Sequence, residues 1–217
     1  MSRPKVMREA ITLAGPAGRL EGLLDEPRQT AGPGVAVLCH PHPLHHGTML
    51  NKVLHAVARA INELGLPAVR FNFRGVGASD GEYGGGIGET EDTLAVAAWA
   101  KLHYSAGPLW LCGFSFGAMV ACRAALAERP AQLVTIAPPV NRMADLLGGA
   151  QPDCPWLILQ GEADDIVSCD DIVNWVNQLA PGPELVILRD VGHFFHGRLT
   201  LLRQTLVERL GRAESAV

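Results

Sequence analysis

The stretch "WLCGFSFGAMV", residues 110–120, decides how the rest of the chain is read. It opens on a short apolar run with the character of a buried strand. It passes through Gly113, Phe114, Ser115, Phe116 and Gly117, the pattern G-x-S-x-G, and goes straight into apolar residues at helical spacing. The pattern alone is common, but a strand ending just before it and a helix starting just after it are the context in which it carries chemistry. A sharp strand-to-helix turn forces the middle residue into a strained backbone and lifts its Oγ above the sheet edge. Glycines on either side remove the Cβ atoms that would clash there. The new helix aims its N-terminus at a centre where negative charge can develop. Ser115 is therefore the candidate nucleophile, against the plainer reading of a serine that only caps a helix.

Working outward, the same alternation of strand and helix continues in both directions. "AGPAG" (14–18) separates two strand-like runs around Met7–Leu13 and Leu20–Leu24, a hairpin. "GVAVLCH" (34–40) and "LPAVRFNF" (66–73) are continuous apolar runs of the kind buried on both faces of a sheet. Between them "NKVLHAVARAINELG" has helical spacing and stops on Gly65. "RGVGASDGEYGGGIGE" (74–89) reads as a long loop whose "EYGGGIG" part is expected to be mobile, and "TEDTLAVAAWAKLHY" as a helix with acids at its first turn. Beyond Gly117 come a helix ("AMVACRAALAERP"), strands ("AQLVTIAPP", "PWLILQG"), a helix ("CDDIVNWVNQLAP"), a strand ("ELVILRD") and a last helix ("RLTLLRQTLVERLG"). Strands alternating with helices imply right-handed crossovers, so the expected fold is α/β, with a mostly parallel central sheet, helices on both faces and the N-terminal hairpin as an antiparallel edge.

Bulk properties agree with this and exclude some functions. A length of 217 residues suits a single domain, 1–217, and 48% hydrophobic against 18% charged residues suits a packed core. The net charge of −4 comes with no basic stripe, which argues against a nucleic-acid partner. No apolar run reaches membrane-spanning length and the N-terminus has no secretory apolar region, so a cytoplasmic protein is expected. Five cysteines, an odd number without zinc-knuckle spacing, read as free thiols in a reducing compartment, with Cys39 and Cys112 in the core.

A serine hydroxyl attacks only when a base takes its proton. "LILQGEADDIV" places Asp164 and Asp165 in the loop after a strand, and "VILRDVGHFF" places His193 after the next one. The carboxyl ends of parallel strands share one sheet edge, so the three loops can meet. Gly192 gives His193 freedom to reach in. His196 is the alternative base and Asp190 a third acid, read as a turn residue. Chemistry alone leaves Asp164 and Asp165 open.

With these residues in view the chain resembles the α/β-hydrolase superfamily over nearly its whole length, and more closely the small bacterial members related to the dienelactone-hydrolase branch. The matching motifs are "CHPHP…GTM", "FNFRGVGASDGEY", "GFSFG", "GEADDIV" and "GHFF". The resemblance implies an α/β-hydrolase fold and the order nucleophile, acid, histidine. It implies that the acid of the G-x-x-D-x-x-V pattern (Gly161 to Val167) is Asp164, and that Arg74 of "FRGVG" is structural. Dienelactone hydrolases proper carry a cysteine nucleophile, whereas this chain has Ser115.

Four histidines crowd into "CHPHPLHHGTM". His40, His42 and His45 fall at H-x-H-x-x-H, near the H-x-H-x-D-H of zinc hydrolases, but the aspartate position is Leu44 and no further ligands present themselves. The resemblance assigns this loop another use, as the source of the second oxyanion-hole N–H. Pro41 and Pro43 have no N–H, so the donor is His42, or failing that Leu44, with Phe116 N–H as its partner. His40 is expected to pack or bond under the loop, and His45 and His46 either line the entrance or are simply exposed.

"PPVNRMADLLGGAQPDCP" (138–155) is too short for a cap domain, so an open cleft is expected, with Tyr83, Met143, Leu146 and Leu147 as candidate walls. The plainer reading puts Leu146 and Leu147 on a short helix packed on the core. The expected function is cleavage of a small-molecule carboxylic ester through Ser115, His193 and Asp164, without metal or cofactor. The same residues would also serve a peptidase, amidase or thioesterase. The readings from other classes are a non-catalytic binding protein on a hydrolase scaffold and a zinc hydrolase.

Overall fold

A computed structural model describes residues 7–29, 34–104 and 107–214, with the backbone alone at 144–146 and 212–214. The N-terminal residues 1–6, part of the stretch read above as lacking a secretory segment, lie outside the described residues. The elements in chain order are β1 (Met7–Gly15), β2 (Gly18–Glu26), β3 (Val35–Cys39), α1 (Lys52–Glu63), β4 (Ala68–Phe71), α2 (Ile87–His103), β5 (Leu109–Phe114), α3 (Phe116–Glu128), β6 (Gln132–Ile136), α4 (Val140–Leu147), β7 (Trp156–Gly161), α5 (Cys169–Val176), β8 (Glu184–Leu188) and α6 (Leu199–Glu214). A short 3-10 turn at Pro43–His45 follows β3.

The strands form one sheet in the order β1-β2-β4-β3-β5-β6-β7-β8. β1 and β2 pair antiparallel, as does β2 with β4, and every pair from β4 to β8 is parallel. This is the α/β-hydrolase fold the motifs imply, with the hairpin as its antiparallel edge. Between β6 and β7 stands only the eight-residue α4, so no cap domain covers the strand ends.

The continuous apolar runs are explained by a sheet buried on both faces. In β3, Val35, Val37 and Cys39 point into one core with α2, α3, α4 and α5, while Ala36 and Leu38 point into the other with α1 and α6. Leu202, Leu206 and Leu210 of α6 pack at helical spacing beside Val53, Leu54, Val57 and Ile61 of α1.

Two expectations are corrected here. α2 begins at Ile87, three residues before the predicted helix, and the glycine-rich stretch ahead of it is tied down. The Glu89 carboxylate is fully buried and accepts the N–H groups of Gly84 and Gly86, each at 2.7 Å. "EYGGGIG" is thus a bonded turn wrapped on an anion rather than a free loop. Met143 is the second correction. Val140, Met143 and Leu147 face the core from α4, leaving Met143 fully buried, because that helix must cover the sheet with one face. The helix reading of this segment is the one observed, and the Leu146 side chain lies outside the described residues.

Candidate active site

β5 ends on Phe114 and α3 starts on Phe116, so Ser115 makes the whole turn, with φ 54° and ψ −120°. Non-glycine residues seldom adopt this backbone. The Ser115 N–H donates to the Ile136 carbonyl at 2.8 Å and anchors the turn to β6. A Cβ on Gly113 would stand 2.1 Å from the Gly117 carbonyl oxygen, and one on Gly117 2.2 Å from that of Cys39. Both glycines are required for α3 to begin directly against the strands.

The loop after β7 delivers the candidate acid. Asp164 Oδ1 accepts the N–H groups of Ile166 (2.9 Å) and Val167 (2.7 Å), and Oδ2 accepts from Gln160 Nε2 at 3.1 Å and His193 Nδ1 at 2.8 Å. Burial alone would raise the Asp164 pKa. The His193 bond, then the Val167 and Ile166 N–H groups, outweigh it and hold the carboxyl below its ordinary value. Since Nδ1 of His193 faces a carboxylate, it carries the ring hydrogen. The bare Nε2 then faces Ser115 Oγ at 3.1 Å and accepts the hydroxyl hydrogen. The loop bearing His193 crosses β7 so closely that a Cβ on Gly161 would stand 2.1 Å from the Val191 carbonyl oxygen. His193 is buried between the rings of Phe114 and Phe194, at 5.2 and 5.0 Å.

The histidine loop divides its work. His40 is fully buried. Its Nδ1–H donates to the Pro41 carbonyl at 2.7 Å and its Nε2 accepts the Phe73 N–H at 3.1 Å. Both ring nitrogens are therefore committed to backbone, which leaves neither for a shared ion with His42 and His45. Among the described residues no group of His, Cys, Asp or Glu has metal-holding geometry. Burial pushes the His40 pKa down to about 4, against the Pro41 bond, which raises it. The Leu44 N–H is taken by His42 Nδ1 at 3.3 Å, while the N–H of His42 has no acceptor among the described residues. Phe116 N–H, the first of α3, has no intrahelical partner by its position.

Ser115 opens into a cleft of about 510 Å³ lined by His42, His45, Phe116, Pro139, Val140, Asn141, Arg142, Asp164, Asp165, Ile166, Val167, Ser168 and Asp171. Of the expected walls, His45 is there. His46 is exposed outside it, with φ 59° at the end of the 3-10 turn. Tyr83, also expected as a wall, is not among the lining residues and meets the cleft only through His42, with Oη 3.2 Å from His42 Nε2. Asp165 and His196 are exposed and outside the hydrogen-bond series, and Asp190 takes φ 55° in a turn. Sequence reading missed Asn141, Arg142 and Asp171 on the walls, and Gln160 beneath the acid. Gln160 did leave a signal, as the one amide inside the apolar run "WLILQG". A larger hollow of about 780 Å³ lies at the opposite, amino edge of the strands, beside Trp156 and Pro183, away from Ser115.

Comparison with known proteins gives the chain relatives. Residues 44–150 match the family model of the α/β hydrolase fold. The chain is 45% identical to an α/β serine hydrolase homologue from Coxiella burnetii, covering 95% of this chain and 100% of that one, with a TM-score of 0.89. It is 42% identical to a member of the α/β serine hydrolases without lid from Xanthomonas campestris, covering 96% and 97% of the two chains, also at a TM-score of 0.89. An uncharacterised protein of Rickettsia prowazekii is 36% identical over 195 residues, 85% of this chain and 81% of its own.

Proposed function

The chain belongs to the α/β-hydrolase family, and from that premise we propose that it hydrolyses a carboxylic ester of a small molecule through an acyl-enzyme formed on Ser115. The observation that carries the reading is the unbroken series Asp164 Oδ2 to His193 Nδ1 (2.8 Å) and His193 Nε2 to Ser115 Oγ (3.1 Å). Ser115 Oγ attacks the ester carbonyl carbon as its proton passes to His193 Nε2. Asp164 holds the ring in the right tautomer and stabilises the imidazolium. The carbonyl oxygen becomes an oxyanion and is received by the N–H groups of Phe116 and His42, neither of which has an acceptor among the described residues. Collapse breaks the ester C–O bond, and His193 gives its proton to the departing alkoxide. Water, deprotonated by the same nitrogen, then attacks the acyl-enzyme and releases the acid.

The lid-less relative from Xanthomonas campestris supports an open site, and a cleft without a cap suits varied acyl groups. Amide, peptide and thioester substrates would use the same groups, so an acyl panel assigns the bond. The thiols of Cys39 and Cys112 are buried and their pKa values pushed up, to about 12 for Cys39, so neither competes as nucleophile. Free cysteines throughout suit the reducing cytoplasm, where we place the protein.

The test is a fluorophosphonate probe read by intact mass, on the wild type and on Ser115→Ala. One adduct on the wild type, mapped to Ser115, and none on the variant is expected. Labelling of neither, or full ester turnover by Ser115→Ala, would sink the reading and favour a binding protein. Turnover should be indifferent to EDTA.

A further inference from the structure

We infer that Tyr83 is a positioning residue that fixes the His42 half of the oxyanion site; this rests on the hydrolytic reading of Ser115. The inference follows from counting hydrogens around one imidazole. The Leu44 N–H can only donate, and it points at His42 Nδ1 at 3.3 Å. Nδ1 is therefore bare, and the neutral ring carries its hydrogen on Nε2. That hydrogen goes to Tyr83 Oη, 3.2 Å away. The ring also packs 4.7 Å from Phe116, 5.2 Å from Tyr83 and 4.8 Å from His45. The His42 carbonyl accepts from the His45 and Gly47 N–H groups, both at 3.0 Å. Carbonyl, Nδ1 and Nε2 of His42 are all engaged, and the group left over is its backbone N–H, on a residue that lines the cleft holding Ser115.

Tyr83 is itself held. It stands one residue before the Gly84 N–H that Glu89 clamps, and its ring lies 5.9 Å from Phe116. The "EYGGGIG" turn therefore presents a phenol to the back of the oxyanion loop, and the buried Glu89 anchors that turn at α2. Burial, His45 and Arg142 push the His42 pKa down, against Glu89, which favours the bare Nδ1 that the Leu44 contact needs.

Tyr83→Phe keeps the ring and deletes only the oxygen. Its kcat should fall about tenfold with KM and melting temperature little changed, a smaller loss than the hundreds-fold expected when an oxyanion donor is removed outright. His42→Asn keeps an acceptor where Nδ1 sits, and its amide ends short of the Nε2 position that meets Tyr83 Oη, so in that background Tyr83→Phe should add no further loss. A Tyr83→Phe effect that persists in His42→Asn would overturn the inference, since Tyr83 would then act on substrate directly. So would an unchanged kcat in Tyr83→Phe. Nitrogen-15 spectra of the histidine side chains decide the pairing without any turnover: the Nε2–H form of His42 is expected, and an Nδ1–H form rules the pairing out. A wild type that shows the Nε2–H form yet takes no fluorophosphonate would instead be a failure of the hydrolase reading.

Discussion

Ser115 is held at φ 54° by its surroundings, a conformation that costs of order 1–3 kcal/mol and persists only where neighbours over-determine it. Those neighbours are Gly113 and Gly117, whose missing side chains leave space for backbone alone. Gly117→Ala would drive a methyl into the Cys39 and His40 carbonyl oxygens, 2.2 and 2.5 Å from its Cβ. Neither oxygen is the end of a flexible side chain, so α3 must back away from β3. Overpacking of this kind costs about 1–3 kcal/mol. For a chain of this size that is a drop of roughly 2–12 °C in melting temperature. Because the displaced helix carries the Phe116 N–H, fluorophosphonate labelling should slow far more than the stability loss explains. A Gly117→Ala protein that labels at the wild-type rate would show that the close approach of α3 is not needed.

At the scale of elements, loops are tied to strands by single buried groups, and His40 is the clearest case. Its ring joins the end of β3 to the residues after β4 through Pro41 and Phe73. Its pKa is about 4 in the fold against 6.5 unperturbed, so between those values the unfolded chain binds a proton that the folded chain refuses. Stability is then full above pH 6.5 and falls as the pH drops towards 4, by roughly 3 kcal/mol from this one group. Asp164, held below its ordinary pKa, adds a loss of the same sign at still lower pH. His40→Gln should be less stable at pH 7 and show a flatter slope between pH 6.5 and 4 in urea titrations. An unchanged slope would remove His40 as its cause. This level was only half legible in the sequence. The strand and helix runs and the serine turn follow from local periodicity and from glycines at fixed places, while the order of acid and histidine came only with the family resemblance. The Glu89 clamp was missed because the run of glycines reads as freedom until a carboxylate is seen to gather their N–H groups. Met143 was assigned to the wrong wall because a short helix can be rotated either way until its apolar face meets the sheet.

At the scale of the whole molecule, the open edge is served by a sheet whose antiparallel part is joined to its parallel part through a buried ion pair. Arg70 of β4 and Asp25 of β2 are each 1% exposed, with Arg70 Nε 2.7 Å from Asp25 Oδ2. Arg8 of β1 also bonds Asp25, and Arg70 Nη1 donates to the Met49 carbonyl just ahead of α1. The sequence announces half of this, an arginine inside the apolar run "LPAVRFNF". Its partner lies 45 residues away, and no local pattern names it. A buried pair of this kind contributes little net stability compared with apolar residues of equal size, but removing one member strands the other. Arg70→Met leaves the Asp25 carboxylate buried with only half-exposed Arg8 beside it, at an expected cost of about 3–5 kcal/mol. That corresponds to roughly 6–20 °C in melting temperature by calorimetry. Asp25→Leu combined with Arg70→Met replaces both charges with apolar groups and should recover most of the loss. Ser115 should label normally in that double variant, since the pair joins β2 to β4 and β3 lies between β4 and the strand that leads into Ser115. If the single variant melts within a degree of the wild type, the hairpin is held to the sheet by its backbone ladder alone and the ion pair is incidental to the fold.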